Sequence, residues 1–436
     1  MMDLSAEQIT INRLNNAKES PTFYKVFTLV GLGLMIDAAD VYMASSTNTA
    51  MITSKFATEA QGSTFLSAGF LGLFIGSIIA GYFGDYFGRR KAYQANLFIF
   101  GAATLLGGFA PNIAILSILR FIATIGLGAE IVTAFATINE FAPTKHRGRW
   151  SGAISVIGNI GSPLGFLLCM LIIPDFGWRP LFFIIGIAAL ILWAVRRHNF
   201  PESPRWLISK GRHEEAEKII EEMSINGYYD PMQAQETNGK ESRTIHVGLK
   251  RAFIVGIIVA MATTVCQYTF TSWVPTILVK EGVDIFHSLM YSTVMMIGAP
   301  LGALVGASVV DRAGRKWTIG IGFLVIAILG IIYTYQKSDA AVMIIGFCLT
   351  MAMYAMNASI LSVYVPELFP TKYRFRGEGY AAGAGKLMNV LMPYFIVWLM
   401  TNFATSYIFY SIAILAIIAS IVTFAFGPET KQRYIR

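Results

Sequence analysis

Five ionisable side chains stand inside long apolar stretches of this 436-residue sequence: Asp37 and Asp40 in the first stretch, Arg120 and Glu130 in the fourth, and Lys386 in the eleventh. If the stretches cross a bilayer, each such group costs about 3 kcal/mol or more, so each is a functional candidate by default. Asp40 lies about seven residues, or ~10 Å, from the far end of its stretch, and Arg120 about as far from the start of its own, so the two can face each other. Loss or exchange of that guanidinium would turn the aspartate into a proton acceptor, which is coupling chemistry; a purely structural ion pair is the alternative. Asp37 sits one turn deeper and about 60° round the helix, so both aspartates can face one cavity. Glu130 lies about 15 Å below Arg120 and forms a separate site, either titrating or held protonated by hydrogen bonds within its own bundle. Lys386, in Gly383-Ala-Gly385-Lys386-Leu-Met-Asn389, can offset its burial by meeting an anion, for which the glycines leave room. An internal salt bridge from Lys386 to Asp37 or Glu130 is the rival.

The elements that must position these groups are membrane helices. Hydrophobic residues make up 55% of the chain and charged ones only 14%, too apolar for a soluble domain of this length. Twelve runs of about 20 residues are expected to span, at 24–47, 64–84, 92–110, 113–139, 151–173, 178–195, 252–279, 287–310, 317–335, 340–364, 378–401 and 405–426. Both termini then share one side. Of the Lys and Arg residues outside the spans, only Lys55, Arg179, Lys280 and Lys337 fall on the other side, which puts the termini in the cytoplasm. The net charge of +8 is therefore a topology signal and not a nucleic-acid footprint. Cys169, Cys266 and Cys348 all lie in apolar runs, which suggests core packing and neither a disulfide framework nor a metal site. No nucleophile–base cluster, nucleotide loop or metal spacing is present, so an enzyme is not expected, nor is a cofactor. The first 23 residues are polar, which leaves the first span as the insertion signal. No Asn-x-Ser/Thr sequon falls in a far-side loop, which favours a bacterial inner membrane.

The chain repeats itself. Gly81-Tyr-Phe-Gly84-Asp85-Tyr-Phe-Gly88-Arg89-Arg90-Lys91 recurs as Gly306-Ala-Ser-Val-Val-Asp311-Arg312-Ala-Gly314-Arg315-Lys316, with the aspartates 226 residues apart. Glu140-Phe-Ala-Pro143-Thr144-Lys145 recurs as Glu367-Leu-Phe-Pro370-Thr371-Lys372, and Pro201-Glu202-Ser203 as Pro428-Glu429-Thr430, both at 227. A duplicated six-helix unit predicts two pseudo-symmetric bundles, 24–195 and 251–427, with a substrate cavity between them near the midplane. Residues 1–23, 196–250 and 428–436 are then a cytoplasmic segment, a linker and a tail. His213 to Met223 has the spacing of a short surface helix beneath the bundles, whether gating or merely part of a tether. Glycines let a tight turn bring helices close, and an aspartate beside Arg and Lys can pair across the bundles on the cytoplasmic face, as a gate or only as a topology marker. The gate candidates in the first half are Asp85, Arg89, Arg90, Glu140, Arg147, Arg149, Glu202 and Arg205. Those in the second are Asp311, Arg315, Glu367, Arg374, Arg376 and Glu429.

These motifs resemble the major facilitator superfamily over nearly the whole length, and the resemblance implies an all-α fold of twelve transmembrane helices. Gly-x-x-x-Asp-x-x-Gly-Arg-Arg is the superfamily signature, with Tyr86 replacing the usual Arg. Pro201-Glu202-Ser203-Pro204-Arg205 resembles the branch of sugar porters, organic ion transporters and metabolite:proton symporters. In that branch an Asp on the first span pairs with an Arg on the fourth, which matches Asp40 and Arg120. Asp37-Ala-Ala-Asp40 is similar to the Asp-Gly-x-Asp element of aromatic acid:proton symporters, and Gly126-Leu-Gly128-Ala-Glu130 to the metabolite:proton symporters. Related organic anion transporters carry a basic residue where Lys386 stands, which implies a carboxylate substrate.

The seventh span lacks the Gln-Gln pair of a sugar porter; Gln267-Tyr268-Thr269-Phe270-Thr271-Ser272-Trp273 mixes aromatics with few amides. A hexose needs many convergent hydrogen bonds, whereas a flat aromatic acid needs stacking surface and one cationic contact. Gln267, Tyr268 and Trp273 are therefore substrate candidates, with packing as the alternative for the two aromatics. Asn159, Asn357 and Asn389 are polar cavity candidates or interhelical hydrogen-bond partners. At the 227 offset Asp37 falls on Thr264, Asp40 on Gln267, Arg120 on Phe347, Glu130 on Asn357 and Lys386 on Asn159. The expectation is a monomeric, proton-coupled importer of a small aromatic monocarboxylate such as nicotinate or a benzoate. A drug exporter, a sugar or organic cation porter and a non-transporting receptor are its rivals.

Overall fold

A computed structural model describes residues 6–229, 243–245, 248–369, 374–430 and 433–435. Twelve spanning segments run in chain order: Pro21–Thr53, Glu59–Phe87, Arg89–Gly107, Ile113–Phe141, Arg147–Phe176, Arg179–Asn199, Leu249–Lys280, Ile285–Ala313, Arg315–Thr334, Asp339–Glu367, Arg374–Asn402 and Ser406–Phe426. Among the described residues eleven helices are long and apolar enough to cross a membrane; the twelfth, Arg89–Gly107, falls short because its first turn is Arg89-Arg90-Lys91. The eighth span breaks at Ile297, and the tenth widens into a π-helical turn at Ile360–Tyr364.

Several helices outrun their apolar runs. The first begins at Pro21, with the Ser20 hydroxyl accepting from the Phe23 amide, and continues through Ser45-Ser-Thr-Asn-Thr49 to Thr53. Thr47 and Thr49 donate to the Ala44 and Ser45 carbonyls of their own helix, so a polar run remains helical. The sixth helix runs past 195 to Asn199 and brings Arg196 inside it. The polar N-terminal segment carries a helix of its own, Ala6–Asn16.

Glycines set the inter-helix distances. A Cβ at Gly76 would come within 2.0 Å of the Ile125 carbonyl, and one at Gly302, 226 residues on, within 2.3 Å of the Met351 carbonyl. The second and fourth spans, and the eighth and tenth, therefore pack backbone to backbone, as is usual in membranes.

The two halves meet on the side away from the termini. Ser45 donates to the Ser272 carbonyl at 2.6 Å, Thr49 and Thr276 share a hydrogen bond of 2.8 Å, Ser67 donates to the Val390 carbonyl, and Lys280 pairs with Glu59 at 3.3 Å. Toward the termini, among the described residues, nothing lies within 4 Å of a Cβ placed on Gly81, Gly148 or Gly152, and Tyr82 and Tyr86 are 79% and 73% exposed. A cleft thus opens on the terminal side.

The linker helix His213–Met223 forms where the spacing placed it and buries Ala216, Ile220 and Met223. Arg13 of the N-terminal helix pairs with Glu217, and Tyr229 donates to the Glu19 carboxylate at 2.6 Å. Burial alone would push the Glu19 carboxyl up, but hydrogen bonds from Tyr229, Trp150 and His146 outweigh it and hold the group at about 2. Up to residue 229 the linker is docked on the first half, while its strand Arg243–Ile245 pairs in parallel with Arg433–Ile435 of the C-terminal tail.

Candidate functional site

The first-half site is built from three carboxyls and two guanidiniums on three helices. Asp40 pairs with Arg120, the two facing each other across the first and fourth spans as their depths require. Arg120 also lies over the Phe65 ring, 5.9 Å from its centroid. One level nearer the termini Glu130 meets Arg196 of the sixth span at 2.7 Å. The same guanidinium donates to the Leu29 carbonyl at 2.6 Å and rests on the Tyr93 ring at 4.6 Å. This pair fits against the first span because residue 33 is glycine: a Cβ there would stand 1.9 Å from Arg196 Nη2 and 2.4 Å from Glu130 Oε1.

Asp37 lies between the two pairs, within electrostatic range of Glu130, Arg196 and Asp40. It is 1% exposed, and neither carboxyl oxygen has a hydrogen-bond partner among the described residues. Three carboxyls share two guanidiniums, so the cluster has room for one proton before its charges balance.

The second half holds the neutral counterparts. Asn357 donates to Gln267 at 2.7 Å, and these are the positions that repeat Glu130 and Asp40. Gln267 donates in turn to the Tyr42 hydroxyl at 3.4 Å, and Tyr42 bonds the Tyr354 hydroxyl. This chain crosses from one half to the other and closes the cleft above Asp40. Tyr268 stacks edge-on against Phe70 of the first half at 5.1 Å. Trp273, read as a substrate candidate, is 1% exposed and sealed in the apolar core, because its turn of the seventh helix faces inward. Asn159 is half-exposed on the fifth span.

Lys386 is half-buried, on the turn where Gly385 lets the eleventh span lie against Thr264 of the seventh and Gly383 faces Phe74 of the second. The internal salt bridge considered for it is not formed: Glu130 is held by Arg196, Asp37 is bare, and Lys386 has no partner among the described residues. Asn389, one turn on, is buried with both amide atoms unpartnered.

Among the described residues, the ion pairs of the gate charges lie within each half, whereas pairing across the halves was expected. Arg89 meets Glu140 at 2.9 Å and Asp85 at 2.8 Å, and Arg315 meets Glu367 at 2.9 Å. Glu202 accepts from the Arg89 and Arg90 amides, and Glu429 from those of Arg315 and Lys316, so each glutamate caps a helix N-terminus where anionic charge is favoured. Both caps sit behind a glycine in the left-handed region, Gly88 at φ 92° and Gly314 at φ 93°, conformations that only glycine adopts freely. The open cleft puts the opposite half out of reach of these charges. Arg90 donates to the Arg197 carbonyl, Arg205 to Asn15 and Arg147 to Thr144, while Arg149 is exposed. The side chains of Asp311, Arg374 and Arg376 lie outside those described.

Arg196, Tyr93, Tyr42 and Tyr354 were not among the expected site residues. The linker expected from the sequence begins at Arg196, whereas the helical continuation Trp193-Ala-Val-Arg196-Arg-His-Asn199 carries it within the sixth helix. The tyrosines carry no signal in one sequence that sets them apart from packing aromatics.

A family profile described as sugar (and other) transporter matches residues 22–436. The inner membrane metabolite transport protein YdjE of Escherichia coli is 32% identical, the alignment covering 96% of each chain. The niacin transporter NiaP of Acinetobacter baylyi is 27% identical over 97% of this chain and 98% of its own. The E. coli xylose transporter XylE, in a partially occluded inward open conformation, superposes with a TM-score of 0.75 at 22% identity, covering 94% of this chain and 99% of that one.

Proposed function

We propose that this chain, which belongs to the sugar (and other) transporter family of the major facilitator superfamily, carries a small aromatic monocarboxylate inward together with protons, working as a monomer by alternating access. The observation that carries the reading is the division of charge. Among the described residues the three acidic side chains buried in the spans lie in the first half, where two have arginines, while the ammonium of Lys386 in the second half has none of them as partner. An ammonium without an internal counter-ion beside a roomy glycine turn suits an incoming carboxylate, with Asn389 beside it. Tyr268 and Phe70 supply stacking surface for a flat ring. Gln267 and Asn357 already satisfy each other, which leaves few free hydrogen bonds for a sugar.

Asp37 is the proton carrier in this reading, being the carboxyl without a cation of its own, and Arg120 resets Asp40. With the termini in the cytoplasm of a bacterial inner membrane, as the basic loops indicate, the open cleft is the inward-facing state. Relatives named as niacin, benzoate and 4-hydroxybenzoate transporters support the substrate class.

Thermal-shift measurements on the purified protein with nicotinate, benzoate, xylose and a quaternary ammonium test the class, since only binders of the folded state raise Tm. Stabilisation by xylose or the cation alone would overturn it. Uptake into vesicles of known orientation separates import from the proton-driven export of the rival reading.

A further inference from the structure

Asp37, Asp40 and Glu130 are 1%, 0% and 0% exposed in a conformation whose cleft stands open toward the termini. A carboxyl that must hand its proton to the terminal side therefore has no contact with the water that the substrate uses. What lies beneath it is the interior of the first bundle. Measured from the terminal-side ends of their helices, Asp40 is about 28 Å up, Asp37 about 24 Å, Glu130 about 16 Å and Tyr93 about 6 Å. Among the described residues, buried polar atoms without partners mark that descent: both oxygens of Asp37, Oε2 of Glu130, Nδ2 of Asn96, which lies one turn above Tyr93 on the same face, and the hydroxyl of Tyr93. Orphaned polar atoms in such a row are the usual seat of buried water, which bridges steps too long for direct transfer. Tyr93 is within electrostatic range of Arg196, Glu130 and Asp37, and its ring lies under the Arg196 guanidinium.

We infer that the proton leaves through the first bundle, along Asp40, Asp37, Glu130 and Tyr93, and not through the substrate cleft, with Arg196 as the positioning residue that holds Glu130 in line. This rests on the proton-coupled reading above. One proton enters at Asp40 and one leaves at the terminal surface; each carboxyl gains and then loses a proton, the Tyr93 hydroxyl gives one and recovers one, and nothing is oxidised or reduced. The charged and titratable groups facing the path are Asp40, Arg120, Asp37, Glu130, Arg196 and Tyr93, from the first, third, fourth and sixth spans. Substrate and proton then travel separate routes, and a cleft blocked by substrate does not block proton release.

The test uses the full chain in proteoliposomes, with nicotinate and benzoate as probes, reading substrate-driven proton flux with a lumenal pH dye and, separately, counterflow with the probe on both sides. Glu130→Gln is expected to cut proton flux about tenfold or more while lowering counterflow far less. Tyr93→Phe, which keeps the ring beneath Arg196, is expected to slow proton flux about threefold and to move the pH profile of uptake. Undiminished proton flux in Glu130→Gln overturns the path and leaves Asp37 and Asp40 as carriers through the cleft. If that variant folds poorly, the Tyr93→Phe result decides: proton flux and pH profile equal to wild type overturn the path. A wild-type protein that moves both probes without protons sinks the coupled reading itself, and the path with it.

Discussion

Thr49 and Thr276, 227 residues apart in the chain, share a hydroxyl–hydroxyl hydrogen bond of 2.8 Å, and one turn below it Ser45 bonds the carbonyl of Ser272, also 227 away. Each residue meets its own repeat, as at the axis of a two-fold dimer. The far-side seam is therefore held by weak, equivalent contacts, which suits a seam that must open once per cycle.

Thr276→Val leaves the Thr49 hydroxyl without its cross-half partner and is expected to favour opening of the far side by about 1 kcal/mol, roughly a fivefold shift in population. Pulsed electron–electron distances between spin labels on Lys55 and Lys337, one in each half, check this: the longer distance should gain weight. An unchanged distribution would show that packing alone holds the seam.

Lys386→Ala is expected to weaken nicotinate binding at least about tenfold, the loss of one charge-assisted contact of about 1.5–3 kcal/mol. Lys386→Arg should restore part of it. Titration calorimetry on purified protein measures both, and equal affinity for carboxylates in wild type and the alanine variant would remove Lys386 from the site.

Gly33→Ala places a methyl where Arg196 and Glu130 meet and is expected to destabilise the protein by about 3 kcal/mol, since a broken buried pair leaves uncompensated charge. Gly81→Ala, with nothing within 4 Å, should raise Tm slightly through helix propensity. Thermal denaturation of the two variants side by side gives the comparison; equal Tm values would mean that the pair relaxes without cost.

The Glu19 carboxyl is depressed in the folded protein to about 2 from an ordinary 4.5. Its contribution to docking the linker is thus fully present above about pH 4.5 and lost as pH falls toward 2. Glu19→Gln is expected to raise protease cleavage within 200–229 at neutral pH. At pH 3 the gap between variant and wild type should narrow, and a constant gap would argue against the carboxylate.

The sequence determined the frame by itself. Apolar runs of bilayer length, a repeat at one offset and the bias of Lys and Arg to one side are linear signals, and helix rise alone put Asp40 level with Arg120. Side-chain partnership is not linear. Glu130 found Arg196 only because the sixth helix runs one turn past its apolar run and Gly33 leaves a gap beside it. The gate charges paired within halves because the bundles are splayed on that side, a matter of conformation that no motif encodes. Trp273 was sealed away and Asp37 left bare by the rotation of their helices, which lateral packing sets and spacing does not. That Asp37, Asp40, Arg120, Glu130 and Lys386 stand within the spans was legible from residue type and spacing; which groups hold each other was decided by how the helices lie side by side.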